Sequence, residues 1–214
     1  MAMRTITRLY DSYDDAAQVV QNLEQAGVPH DNISLVANNV DQSRGNGGTA
    51  SGLTSGDPEQ GAATGAGTGA SLGTLLGGGA GLLAGIGALA IPGVGPIVAA
   101  GWLVATLTGA GVGAAAGGLA GSLTGAGVSE ADAQVHAEGV RRGGSLVTVR
   151  AEDNMAAKIE QVLDGRTSVN LESRRTEYQA EGWSKYDPAA ASYTPDQLTA
   201  ERGRRIGTTT TPTS

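Results

Sequence analysis

The chain has no cysteine and no phenylalanine, and aromatic residues make up only 3% of its 214 positions. Without cysteine, disulfides, thiolate zinc sites and cysteine nucleophiles are excluded outright. Without large aromatic rings to fill it, the core must rely on Val, Leu and Ile and on close backbone contact at Gly and Ala. A basic surplus is also missing. The formal net charge is -7 and the isoelectric point is about 4.8, whereas a general nucleic-acid binder usually shows a basic face. The only basic clusters are Arg141-Arg142, Arg174-Arg175 and Arg202 to Arg205. Each is short with acidic residues nearby, and reads as solvated surface charge. Met1 to Tyr10 has no long apolar run before a small-residue cleavage site, so it does not read as a secretory signal.

What the chain has in abundance is glycine, 35 residues of it, unevenly spread. Residues 3–39 look globular. Residues 40–60 are polar and rich in Gly, Ser, Asn and Asp, the composition of a linker. Residues 61–128 carry no Asp, Glu, Lys, Arg or His. Residues 129–175 look globular again. The tail, 176–214, has little apolar content and is expected to be mostly disordered.

The first globular piece reads strand, helix, strand. Thr5 to Tyr10 is rich in β-formers. Ser12 can cap a helix with Asp15 at the N3 position. Ala16, Val19, Val20 and Leu23 make one apolar stripe, Gly27 stops the helix, and Ile33 to Ala37 follows as a strand. The second piece repeats the order: a helix from Ser129 and Asp132 to near Gly143, a strand at Ser145 to Arg150, a helix from Asp153 to Gly165, and a closing strand at Val169 to Glu172. Neither half is large enough to be stable alone. Together they predict an α+β domain, a ferredoxin-like β-α-β / β-α-β sheet, interrupted between its second and third strands by the glycine-rich segment.

Within that segment Gly65, Gly69, Gly73, Gly77, Gly81 and Gly85 fall at every fourth position. Gly101, Ala105, Gly109, Gly113, Gly117, Gly121 and Gly125 do the same. Residues four apart share a helix face, and smooth stripes of this kind let two helix backbones approach closely. Pro92, Gly93, Gly95 and Pro96 lie between the two runs, where Pro92 ends one helix and Pro96 can begin the next. The pattern predicts an antiparallel helical hairpin over 61–128, its glycine stripes serving helix packing. Ser71–Ile91 and Pro96–Gly118 each supply about 20 residues, enough to cross ~30 Å of hydrocarbon. Glycine costs ~1 kcal/mol against Ala in a helix in water, which favours a membrane or a fully packed setting. A membrane-inserted hairpin leads. A soluble assembly that buries the glycine helices against one another and a Gly/Ala spacer are the alternatives. Arg141, Arg142 and Arg150 on the domain side place an inserted protein's folded part in the cytoplasm.

Candidate chemistry is sparse. His30 and His136 lie in different elements without metal-ligand spacing, and both read as ordinary surface histidines. No phosphate-loop motif and no strict G-x-G-x-x-G is present, and no Ser or Thr sits in a nucleophile motif. Asp14-Asp15 and the Glu130/Asp132 pair read as helix N-terminal charges. No catalytic residue, cofactor or metal site is assigned. Trp183, Tyr186 and Tyr193, with Asp187-Pro188, form an aromatic cluster in the tail that either docks on a partner or packs on its own domain.

The stretch Ala90-Ile-Pro-Gly-Val-Gly-Pro-Ile, the glycine repeat, Gly127-Val-Ser-Glu-Ala-Asp-Ala and Arg141-Arg-Gly-Gly-Ser-Leu-Val-Thr-Val carry a resemblance, as does the opening strand and helix through Leu23, Gly27 and Val28. Over roughly residues 4–175 the chain resembles bacterial general stress proteins of the heat-induced YflT / 17M-like type. The resemblance implies a stress-associated protein with no catalytic motif. The expectation is therefore a non-enzymatic general stress-response protein. It would be anchored in the inner (cytoplasmic) membrane with its domain in the cytoplasm, and would self-associate as a homo-oligomer through the glycine zipper. The alternative is a cytoplasmic, soluble oligomeric ferredoxin-like module that binds a small ligand. Neither reading includes nucleic acid.

Overall fold

The computed structural model describes residues 3–39, 87–91, 94–109 and 112–208. The linker 40–60, the glycines Gly65, Gly69, Gly73, Gly77, Gly81 and Gly85, and the turn residues Pro92 and Gly93 lie outside them. The fold is α+β. Its strands are β1 (Met3–Tyr10), β2 (Ile33–Asn38), β3 (Gly87–Ile91), β4 (Gly95–Gly101) and β5 (Ser145–Glu152). Its helices are α1 (Tyr13–Gln25), α2 (Trp102–Gly109), α3 (Val112–Gly125), α4 (Glu130–Arg141), α5 (Asp153–Leu163), α6 (Leu171–Ala180) and α7 (Pro195–Thr208). The strands form one antiparallel sheet in the order β1-β5-β2-β4-β3. β5 lies between β1 and β2, so the two strands joined through α1 are separated by one that follows more than 100 residues later in the chain.

The globular halves form as their local signals dictate. Ser12 Oγ accepts from the backbone N–H groups of Asp14, at 3.1 Å, and Asp15, at 3.5 Å, so the first turn of α1 has its donors satisfied. Ser129 Oγ caps α4 by accepting from Asp132 N–H at 3.1 Å. Ala16, Val19, Val20 and Leu23 of α1 and Ala156, Ile159 and Leu163 of α5 are buried on one face of the sheet against Ile6, Ile33, Leu35, Val147 and Val149. The other face carries Leu9, Val36, Ile97 and Leu146. It is covered by Leu103 of α2, Leu119 and Leu123 of α3, and Ala133, Ala137 and Val140 of α4. With both faces covered and both edges paired, every residue of β2 is buried. Each large apolar side chain so enclosed contributes roughly 1.5–3 kcal/mol.

Three expectations are corrected here. First, the described part of the glycine-rich segment is not a pair of long helices. Gly87–Ile91 and Gly95–Gly101 form a β-hairpin laid against the edge of β2. Gly95 and Pro96 belong to its second strand and buried Val94 to its turn. Of the expected turn residues, Gly95 and Pro96 are therefore strand residues. Ile97 and Val98 suit a strand, and pairing with β2 satisfies a backbone that glycine would leave weakly helical. Pro96–Gly118 is not one helix. Helix begins only at Trp102, and Gly118 interrupts α3 with φ 53° and ψ -134°. Ala105 and Gly109 lie in α2, and Gly113, Gly117, Gly121 and Gly125 in α3, so the four-residue register is broken between elements. Among the described residues, no helix is long and apolar enough to cross a membrane.

Second, the closing strand is missing at Val169–Glu172. Asn170 Oδ1 accepts from Ser173 N–H and starts α6 instead. What is left of the strand is one bond, from Val169 N–H to the Leu9 carbonyl at 2.8 Å on the outer edge of β1.

Third, the tail through Thr208 is folded, and Arg141 and Arg142, at the end of α4, hold it. Glu138 is fully buried. It accepts from Arg142 Nε at 2.6 Å and from Arg141 Nε and Nη2 at 2.9 and 2.8 Å. Arg142, 5% exposed, also pairs with Glu181 and Glu201 of the tail and lies over the Tyr178 ring at 4.1 Å from its centroid. Arg174, also buried, donates to both Asp11 oxygens at 2.9 and 2.8 Å. These arginines are not solvated surface charge. Their pairs lower the cost of burying them, and burying Tyr178, Tyr186 and Leu198 supplies the apolar part of tail docking.

Two outcomes follow. A Cβ on Gly101 would lie 2.0 Å from the Ile33 carbonyl oxygen, and its φ is +90°, whereas one on Gly125 meets nothing within 4 Å. Gly101→Ala should cost at least about 2 kcal/mol and Gly125→Ala should be neutral or stabilising by about 0.5–1 kcal/mol, read from urea midpoints; equal effects would mean that the stripe acts as a unit. Arg142→Met takes one cation from Glu138, Glu181 and Glu201, which keep Arg141 and Arg204. It should cost about 3–5 kcal/mol and bring rapid proteolysis within residues 181–204, which wild type resists.

Candidate functional site

The sheet has two unlike ends. At the β3 end it finishes in a hairpin. At the β1 end, among the described residues, the only backbone partner on the outer edge is Val169. Backbone groups of successive strand residues face opposite edges. Because the Leu9 carbonyl faces outward to Val169, Thr7 and Thr5 face outward too. The Thr7 carbonyl accepts from Arg8 Nη1 at 3.1 Å. The N–H groups of Thr5 and Thr7 and the Thr5 carbonyl have no partner among the described residues.

Helix α4 rests directly on this strand because Gly139 lacks a side chain. A Cβ there would lie 2.4 Å from Leu9 Cδ2. The close approach carries His136, one turn earlier, over Thr7. The two border a cavity of about 350 Å³ that also reaches Ser168 and Asn170. A second cavity of about 280 Å³ continues from it along β1 from Arg4 to Arg8, walled by Gly127, Val128 and Ser129 on one side and Glu160 on the other. Thr7, Arg8, His136 and Leu171 border both, so the two make one cleft.

At Thr7 and His136 the wall of the cleft is polar without being charged. His136 is 2% exposed, and burial pushes its pKa down to about 4 despite Asp132 nearby, so the ring is neutral at physiological pH. Its Nδ1 is buried with no hydrogen-bond partner, as is Thr7 Oγ1. Thr148, the residue across from Thr7 on β5, has an equally unpartnered Oγ1. Each such atom costs roughly 1–3 kcal/mol. The charges around the cleft are already matched. Arg4 pairs with Glu160 at 2.7 Å, Arg8 with Asp164 at 2.9 Å, and Arg175 with Asp132 at 2.9 Å. A neutral imidazole offers one donor and one acceptor, and the hydroxyls offer both. The arrangement suits an uncharged polar group. Among the described residues, no group of His, Asp and Glu is placed to hold a metal ion.

The residues singled out from sequence are elsewhere. Among the described residues, none of the repeat glycines borders these two cavities. His30 lies at the surface, with Nε2 2.8 Å from Asp31 Oδ1. Asp14 and Asp15 occupy the first turn of α1, and Glu130 and Asp132 that of α4. Trp183 packs edge-on to Tyr178 with ring centroids 5.7 Å apart, Tyr186 is buried, and Arg141 lies 5.0 Å from the Tyr193 ring centroid. The aromatic cluster therefore packs on its own domain. His136 was expected at the surface and is not there. Its signal was its phase, since it lies on the helix face of Ala133, Ala137 and Val140.

The buried ring gives a pH dependence with a definite sign. In the unfolded chain a histidine titrates near 6.5 and takes up its proton before the folded chain does. Stability from this group is therefore complete above pH 6.5, falls between pH 6.5 and 4, and is level below. The expected loss is about 3 kcal/mol at ~1.4 kcal/mol per unit. In His136→Gln, this component of the fall should vanish from urea midpoints measured at pH 7 and pH 4.5.

The chain matches no protein-family model, no curated protein and no solved structure.

Proposed function

We propose that this chain is a non-catalytic binding module, ferredoxin-like in plan, that recognises an uncharged polar group in the cleft between β1 and α4. The observation that carries the reading is the pair of buried, unpartnered atoms, His136 Nδ1 and Thr7 Oγ1, at the wall of a cleft whose surrounding charges are paired with one another. A group that bonds to both relieves a cost the folded chain already bears. The ferredoxin-like plan is supported by β5 lying between β1 and β2, with α1 and α5 together on one face.

A stress-response role belongs to this proposal through the resemblance alone. Self-association belongs to it through the four-residue glycine repeat, six of whose thirteen positions precede β3. Anchoring in the inner membrane has less support, because residues 97–101 of its second candidate span pair with β2.

Thermal unfolding of the full chain with a panel of neutral amides and polyols, and with carboxylates and amines of similar size, tests the reading. A neutral compound should raise Tm saturably by about 2–4 °C, and the rise should disappear in the Thr7→Val, His136→Leu double variant. Shifts produced only by charged compounds, and kept in the double variant, would sink it.

A further inference from the structure

We infer that the polar group reaching His136 arrives on an extended polypeptide strand, which adds to the open edge of β1. The inference rests on the cleft being a binding site. It adds to that reading the class of partner and the way it is held.

Three observations point to a strand. The outer edge of β1 is the place where a closing β-α-β strand would return, yet the chain makes only the Val169 N–H to Leu9 carbonyl bond there before turning into α6. That bond has the geometry of a ladder bond, and beyond it Thr7 and Thr5 present backbone groups in the alternation that a neighbouring strand uses. The cleft also runs along the edge rather than into the core. It follows β1 from Arg4 to Arg8 and is walled on one side of the sheet plane by Gly127 to Ser129 and His136, and on the other by Glu160. Five strand residues at ~3.3 Å each span about 16 Å, room for a short strand and not for a helix.

The same geometry states the chemistry of the partner. Side chains of an added strand alternate between the two sides of the sheet. On the α4 side, the residue opposite Thr7 meets His136 Nδ1 and Thr7 Oγ1, which select a short uncharged hydroxyl or amide: Ser, Thr, Asn or Gln. A carboxylate or ammonium there would face no opposite charge left unpaired, since Asp132 is engaged by Arg175. On the other side, the Arg4–Glu160 and Arg8–Asp164 pairs are half-exposed and set no strict requirement. Main-chain bonds then supply affinity, and one polar side chain supplies selectivity.

The experiment uses the full chain, isotope-labelled, titrated with acetylated and amidated pentapeptides of the form Val-Xaa-Val-Xaa-Val, where Xaa is Ser, Thr, Asn or Gln. Two series with Xaa as Asp or Lys serve as controls. Binding should be saturable, move the Thr5 and Thr7 amide resonances and the His136 ring resonances, and weaken at least tenfold when the peptide is N-methylated on alternate amides. The Asp and Lys series should bind at least tenfold more weakly. Thr7→Pro removes an outward N–H and should reduce affinity similarly. Should that variant misfold, the N-methylated peptides still decide. If no peptide binds, or if N-methylation on either set of alternate amides leaves affinity unchanged, strand addition is overturned. If free neutral amides move the His136 resonances while no peptide binds, strand addition fails and the cleft reading stands. If neither peptides nor free amides move them, both fail.

Discussion

The pairing of β5 with β1 on one side and β2 on the other is the constraint on which the rest of this structure depends. β1 and β2 are held apart by one strand width, and the two halves of the domain, far apart in sequence, become one sheet. Once β5 is in place, α1 and α5 share a face, and the opposite face is left for whatever the intervening segment and the C-terminal part can provide. They provide α2, α3 and α4, with the tail beside them. The chain has no phenylalanine and few other large rings, so this second layer works by proximity. Gly139 seats α4 on Leu9, and Gly101 lets the chain turn from β4 into α2 against the Ile33 backbone.

The same economy explains the cleft. A helix that rests this close to a strand brings its neighbouring side chains down with it. His136 is pressed over β1, where an imidazolium would be costly, and it stays neutral. Further along, the chain leaves α5, touches the β1 edge once at Val169 and is drawn away by the cap at Asn170. The clasp of Arg142 with Glu138, Glu181 and Glu201 then commits the remaining chain to the α4 side. The open edge and the folded tail are thus two results of one local choice, helix over strand at Leu171.

Much of the α+β half-domains was legible because local rules and burial agreed. Ser12 and Ser129 cap where they should, and the stripes of α1 and α5 face the sheet. The glycine-rich segment misled because its period of four is a helix signal, while the choice between helix and strand at Gly87–Gly101 was made by a partner edge that no periodicity encodes. Nor does the composition of the tail say that its anchors are supplied by Arg141 and Arg142, whose own sequence signature is that of surface charge. The cleft was illegible for a related reason. Its chemistry is carried by Thr7 and His136, residue types that spell no motif, and only the absence of a Cβ at Gly139 brings them together.

An exposed sheet edge is ordinarily a liability, because any extended chain can pair with it. The edge of β1 is managed in part. Arg4 and Arg8 flank it, Arg8 covers the Thr7 carbonyl, and the segment at Val169 blocks its far end. These devices limit pairing to a short stretch around Thr5 and Thr7. At that stretch the protein places two unpartnered buried atoms, His136 Nδ1 and Thr7 Oγ1, where protection alone would call for a proline, a bulge or another charge. A lysine in place of Thr7 would guard the edge, and a leucine in place of His136 would fill the gap beneath it without leaving an orphaned nitrogen. The chain has neither, and that departure from the stable solution is what sets this edge apart as a site.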